Sequence, residues 1–252
     1  MSGLQIYTPI PNHQPQKLLL AQHKTQAQKS HSPPYLCPVH KYALLFLALA
    51  IGACNNSNTQ NTTAKLQAGD LLFQDLNCGD LCNAIEAVTE GVNGRDFSHC
   101  AMVVTVADSL AVVEAIGDTV QINSIAKFIA RSGDSNIVAA RVKPNLQKLL
   151  PAASTFALAQ VGKPYDDIFN IADDNYYCSE LIYKAFKQAN AGKDVFALYP
   201  MTFKDPNTKN FFPAWVNYYQ ELKCAIPEGA PGLNPGGISR DSNLTVLAKF
   251  SY

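Results

Sequence analysis

Acidic side chains are absent from the first 69 residues, and histidine is nearly absent from everything after them. Of five histidines, four (His13, His23, His31 and His40) precede position 54 and only His99 follows it. A body with one histidine has too few imidazoles for a multi-histidine metal site. Basic runs are missing too. From Cys54 onward 16 basic side chains face 20 acidic ones, a net charge of −4, which suits phosphate neutralisation poorly and argues against nucleic acid as a partner. A long apolar run is also lacking: residues 42–51 (YALLFLALAI) are uncharged, but ten residues fall short of the roughly 20 needed to span a bilayer about 30 Å thick.

What is present in the leading segment reads as an export signal. The apolar run follows Lys41, has the length of a secretory h-region, and ends in Gly52-Ala53-Cys54. Ile51-Gly52-Ala53-Cys54 resembles a bacterial lipobox, which implies cleavage before Cys54 and lipidation of that cysteine. The polar stretch 55–65 (NNSNTQNTTAK) then reads as a tether. The expected organisation is a leader over 1–53, a tether over 54–65 and one catalytic domain over 66–252. The expected location is the bacterial cell envelope, with Cys54 anchored in a membrane.

Within the body, residues 71–73 read as a short strand and 81–89 as a helix ended by Gly91 to Gly94. Residues 97–106 and 110–116 are β-rich runs joined at Ala107-Asp108-Ser109, and 137–142 is a further strand. Helical spacing returns over 152–161 and 178–190, whereas 192–237 reads as irregular. This order of helix, antiparallel sheet and helix is α+β.

Chemistry concentrates at three positions. Cys178 opens the helical run, in a first turn whose unpaired amides and dipole favour a thiolate and leave N–H groups for an oxyanion. A thiol nucleophile needs a base, and His99 is the body's only imidazole. If the hairpin closes through a four-residue loop, 106–109, then Thr105 pairs with Leu110 and Ala101 with Glu114. His99 then lies on the face of Glu114, one diagonal step away, where a carboxylate orients an imidazole. Each residue also has a structural reading: a core cysteine, a packed strand histidine, a solvated strand glutamate.

These segments resemble the permuted papain-like amidases of the YiiX/YaeF type. The resemblance is carried by Gly69-Asp70-Leu71-Leu72-Phe73, Phe97-Ser98-His99, Val113-Glu114-Ala115, Val161-Gly162-Lys163-Pro164-Tyr165-Asp166 and Tyr177-Cys178-Ser179-Glu180-Leu181, with a weaker echo at Asn234-Pro235-Gly236-Gly237-Ile238-Ser239. It implies a permuted papain-like fold, a helix packed on a small antiparallel sheet or barrel, with Cys178 as nucleophile, His99 as base and Glu114 as orienting residue. Tyr165 and Tyr177 match aromatic positions beside the site and are candidates for oxyanion or substrate contact. Cys100, where an aliphatic residue is expected, and the Cys78-Gly-Asp-Leu-Cys82 segment depart from the pattern.

The function implied is an exported, lipid-anchored cysteine hydrolase acting through a thioester, with no metal or other cofactor, as a monomer or weak homo-oligomer. Its substrate would be a cell-wall peptide or an acylated or amidated lipid. The competing readings are a lipid acyltransferase or phospholipase related to lecithin:retinol acyltransferase, and a non-catalytic peptide- or lipid-binding module. The pairing of Cys78, Cys82, Cys100 and Cys224 is left open by the spacing.

Overall fold

The computed structural model describes residues 63–132, 137–247 and 250–251. The leader, most of the tether and Cys54 lie outside the described residues. The strands are β1 (Ala64–Lys65), β2 (Leu71–Gln74), β3 (His99–Val106), β4 (Ser109–Ile116), β5 (Thr119–Ser124), β6 (Ile137–Val142), β7 (Tyr199–Pro200), β8 (Pro231–Gly232), β9 (Leu244–Leu247) and β10 (Phe250–Ser251). The helices are α1 (Asp80–Glu86), α2 (Ile125–Ile129), α3 (Leu150–Ala159), α4 (Cys178–Ala189), α5 (Pro213–Leu222) and α6 (Pro235–Ser239).

A six-stranded antiparallel sheet in the order β5-β4-β3-β2-β6-β9 forms the centre, which makes the fold α+β. Strand β2 is apolar at successive positions because both of its faces are covered. Leu71 and Phe73 join the core beneath α3 and α4, with Met102, Val113, Ala153, Leu181 and Phe186. Leu72 faces the other way, against Val103, Val112, Ile125 and Phe128. Burying each such side chain contributes on the order of 1.5–3 kcal/mol.

The β3–β4 hairpin is tighter than expected. Val106 pairs with Ser109, so the loop is two residues, Ala107 and Asp108, both at positive φ (46° and 62°). Such loops match the right-handed twist of the strands they join. The register is unchanged, since Thr105 still pairs with Leu110. Helix α1 ends at Glu86 rather than near residue 89. The region after residue 192 contains α5, whose Trp215, Tyr218 and Tyr219 pack with Phe203 and Ala84. Its Pro213 sits at the helix start, where a missing N–H costs nothing.

Cys78 and Cys82 form a disulfide with Cα atoms 5.3 Å apart, and among the described residues Cys100, Cys178 and Cys224 are free. Helix α6 docks closely on the loop after α1: a Cβ at Gly236 would stand 2.6 Å from the Thr89 carbonyl oxygen. Gly236→Ala is therefore expected to cost about 1–3 kcal/mol through forced backbone displacement, read as a lowered Tm. An unchanged Tm would show that α6 is free to shift.

Candidate active site

Helix α4 begins at Cys178 because Tyr177 is extended (φ −91°, ψ 168°) and Glu180, three residues on, reaches back to accept from the Tyr177 N–H at 3.1 Å. Buried Leu181, Ile182, Ala185 and Phe186 then hold the helix against the sheet. Cys178 is thereby fixed at the helix start, 7 % exposed, beside the N-terminal end of β3. The first-turn amides there have no acceptor within the helix.

His99 opens β3 and is 3 % exposed. Its Nε2–H donates to Glu114 Oε2 at 2.6 Å, as the diagonal placement on the hairpin requires. That leaves Nδ1 for Cys178, whose thiol lies within hydrogen-bonding reach. Burial alone would lower the His99 pKa, but its Cys178 and Glu114 partners more than reverse this and raise it. Cys178 moves the opposite way, well below an ordinary thiol: a hydrogen bond from Cys100 is the largest cause, burial opposes it, and His99 adds to it. The two shifts run in opposite directions, and both favour the charged form of each partner over the neutral one.

Glu114 is fully buried on β4 and heavily partnered. Besides His99, it accepts from Asn123 Nδ2 at 2.8 Å and from Arg131 at 2.6 and 2.7 Å. Burial pushes its pKa up, but hydrogen bonding and charge from His99, then Arg131, override this and bring it down to about 2. Neither Asn123 nor Arg131 was foreseen from the sequence. The β5 strand and five-residue α2 that place them are too short to show a convincing period.

The two tyrosines are placed differently. Tyr165 lies near Cys178, its phenol held neutral by burial and by the cysteine's charge. Tyr177 turns its hydroxyl to the Leu233 N–H, which donates to it at 3.4 Å, and packs edge-on against Phe169. Both line a cavity of about 400 Å³ that reaches Cys178. Its other walls include Ile85, Val88, Phe196, Met201, Phe203 and Trp215. The site therefore combines a polar line of Cys178, His99, Glu114 and Arg131 with a mainly apolar cavity that Cys178 lines, whose polar walls include Ser98, Thr202, Asn234 and Asp241.

A family model of permuted papain-like amidases, the YaeF/YiiX or C92 family, matches residues 65–248. The chain belongs to this family. The family is one of papain-like amidases. The uncharacterized protein YiiX of Escherichia coli strain K12 is 33% identical over 128 residues, an alignment covering 49% of this chain and 58% of YiiX. The chain thus matches somewhat more than half the length of that relative. A crystal structure of YiiX from Escherichia coli O157:H7, described as a metalloprotein, superposes with a TM-score of 0.62 and 26% identity over 73% of this chain and 98% of that one. Among the described residues here, no group of three or more His, Cys, Asp or Glu side chains is arranged to hold a metal ion. None of the described helices is long and apolar enough to cross a membrane.

Proposed function

We propose that this amidase-family chain hydrolyses an amide or ester through a thioester on Cys178, and that the substrate carries an apolar acyl or alkyl portion seated in the cavity. The observation that carries this is the opening of the Cys178–His99–Glu114 line onto an apolar chamber of about 400 Å³. Cys178 Sγ attacks the carbonyl carbon, and the oxyanion is met by first-turn amides of α4 and the Tyr165 hydroxyl. His99 Nδ1 delivers its proton to the leaving amine or alcohol, which departs as the thioester forms. The neutral imidazole then takes a proton from water, whose hydroxide oxygen attacks the thioester and frees the acid and the thiolate. Glu114 fixes the tautomer and supports the imidazolium throughout.

The chamber favours an acylated or amidated lipid over a cell-wall peptide. Peptide carboxylates need cationic partners, and among the described residues Arg240 is the one basic side chain along the cavity, half-exposed and 4.0 Å from Glu90. Export and anchoring at Cys54, as proposed from the leader, would place the enzyme beside such a substrate. The test is a hydrolysis panel of long-chain N-acyl amides, acyl esters and muropeptides, with product acids quantified. Cleavage of acyl substrates with rates that climb with chain length is the expected result. Cleavage of muropeptides alone would overturn the substrate assignment, and no cleavage combined with ordinary thiol reactivity at Cys178 would overturn the hydrolase reading.

The same reading predicts the pH dependence of thiol reactivity. Because Cys178 is lowered and His99 raised, alkylation of Cys178 by iodoacetamide should persist well below the pH at which an ordinary thiol, with a pKa of about 8.5, falls silent. His99→Ala should move that reactivity up in pH. Superimposable profiles for the two proteins would remove His99 from the site.

A further inference from the structure

The residues behind Glu114 form a connected unit. Arg131, just beyond α2, donates through one terminal nitrogen to both carboxylate oxygens of Glu114, at 2.6 and 2.7 Å. Its guanidinium lies over the Phe128 ring, 5.2 Å from the centroid, and the same ring sits 5.9 Å from the His99 imidazole. Phe128 is itself anchored, its carbonyl accepting from Gln74 Nε2 at 3.0 Å. Asn123 completes the set: Lys127 Nζ donates to its Oδ1 at 2.7 Å, which turns its amide group so that Nδ2 donates to Glu114. A carboxylate with no exposure is thus met by one cation, one amide and the imidazole it serves.

We propose that Arg131 is a positioning residue of this site, a fourth member behind Cys178, His99 and Glu114. It keeps the carboxylate charged and aimed at His99 Nε2. The physical need is plain, since a buried carboxyl left without a cation takes up a proton at higher pH. Once Glu114 is neutral, the imidazolium loses its anion, and the Cys178 thiolate in turn loses its counterion. Among the described residues, the charged and titratable groups facing His99 and Glu114 are Cys178 on α4, Cys100 on β3, Arg131 after α2, and Lys127 through Asn123. Arg131 is the one cation among them in direct contact with the carboxylate.

This inference rests on Cys178 being the reactive thiol, and its test keeps the two questions apart. The alkylation rate of Cys178 by iodoacetamide is followed across pH in the full chain for the wild type, Arg131→Gln and Arg131→Lys, with folding checked by circular dichroism. Arg131→Gln is expected to move the acid limb up by about one pH unit, so that reactivity on that limb falls about tenfold. Arg131→Lys, which keeps the charge, should restore most of it. On the alkaline side the three should agree. If the wild-type thiol is unreactive in acid, the hydrolase reading is what fails. If it is reactive and Arg131→Gln leaves the limb in place, or Arg131→Lys behaves like Arg131→Gln, the assignment of Arg131 is overturned. Should Arg131→Gln unfold, Glu114→Gln is compared with Glu114→Gln/Arg131→Gln. An arginine acting through Glu114 leaves those two profiles identical, and any further displacement in the double variant contradicts it.

Discussion

Cys178→Ala is expected to reduce turnover by on the order of 10⁴-fold or more while leaving the fold intact, as when the nucleophile of a catalytic triad is removed. The stability half follows from position. Residue 178 is the first of α4, so alanine suits its backbone, and Leu181, Ile182, Ala185 and Phe186 hold the helix without it. The change in stability should stay within about 3 kcal/mol, because His99 keeps Glu114 as its partner when the thiol is gone. The activity half follows from the lack, among the described residues beside His99, of another thiolate able to act in its place. Cys100 is fully buried and its pKa is driven up by burial, the reverse of its neighbour. Residual turnover of more than a few per cent, measured as acid released from an acyl substrate, would show that the thioester is not on the path. Cys178→Ser should fare little better, because an alcohol lacks the ease of ionisation that the site supplies to a thiol.

Glu114→Ala is expected to damage both stability and activity. Removing the carboxylate strands the Arg131 guanidinium, only 14% exposed, and takes from His99 its Nε2 acceptor. Breaking a buried pair from one side costs about 3–5 kcal/mol. The pH dependence gives an independent measure. The Glu114 pKa is depressed from 4.5 to about 2, so its contribution is fully present above pH 4.5 and disappears as pH falls toward 2. At about 1.4 kcal/mol per pH unit, that contribution is on the order of 3 kcal/mol. Glu180 acts in the opposite sense. Burial pushes its carboxyl up to about 8, so it gives stability as pH falls from 8 toward 4.5. Denaturant midpoints across pH should therefore rise on mild acidification and fall steeply below about 4.5. In Glu114→Gln the steep acid loss should shrink; an unchanged acid limb would mean that Glu114 carries no stabilising charge.

How much of the site could be seen in the sequence depends on the range of the signal. His99 and Glu114 are fifteen residues apart but joined by one hairpin, and the strand period of two puts them on one face whether the loop has two residues or four. The parity of the count, rather than the turn chemistry, decides the face. Cys178 was legible because an amphipathic helix of twelve residues starts there. Arg131 and Asn123 gave no such signal: they bracket a five-residue helix, and their meeting with Glu114 is a product of how β5 and α2 fold back on β4. The contact between Cys100 and Cys178 is likewise set by how α4 packs on β3.

The cavity is the clearest case of what tertiary structure alone decides. Its walls come from α1, from the loop holding Tyr165 and Phe169, from residues 196–203, from Trp215 on α5 and from residues 232–241. These segments are separated by most of the chain, and an aromatic run that reads as irregular can line a chamber or fill a core with the same composition. Local periodicity, the position of one thiol and the scarcity of histidine were sufficient, within the sequence, to single out His99 and Glu114 on one hairpin and Cys178 at one helix start. Which cation holds the carboxylate, and what shape of substrate faces the sulfur, depend on long-range packing between elements whose sequences carry no record of each other.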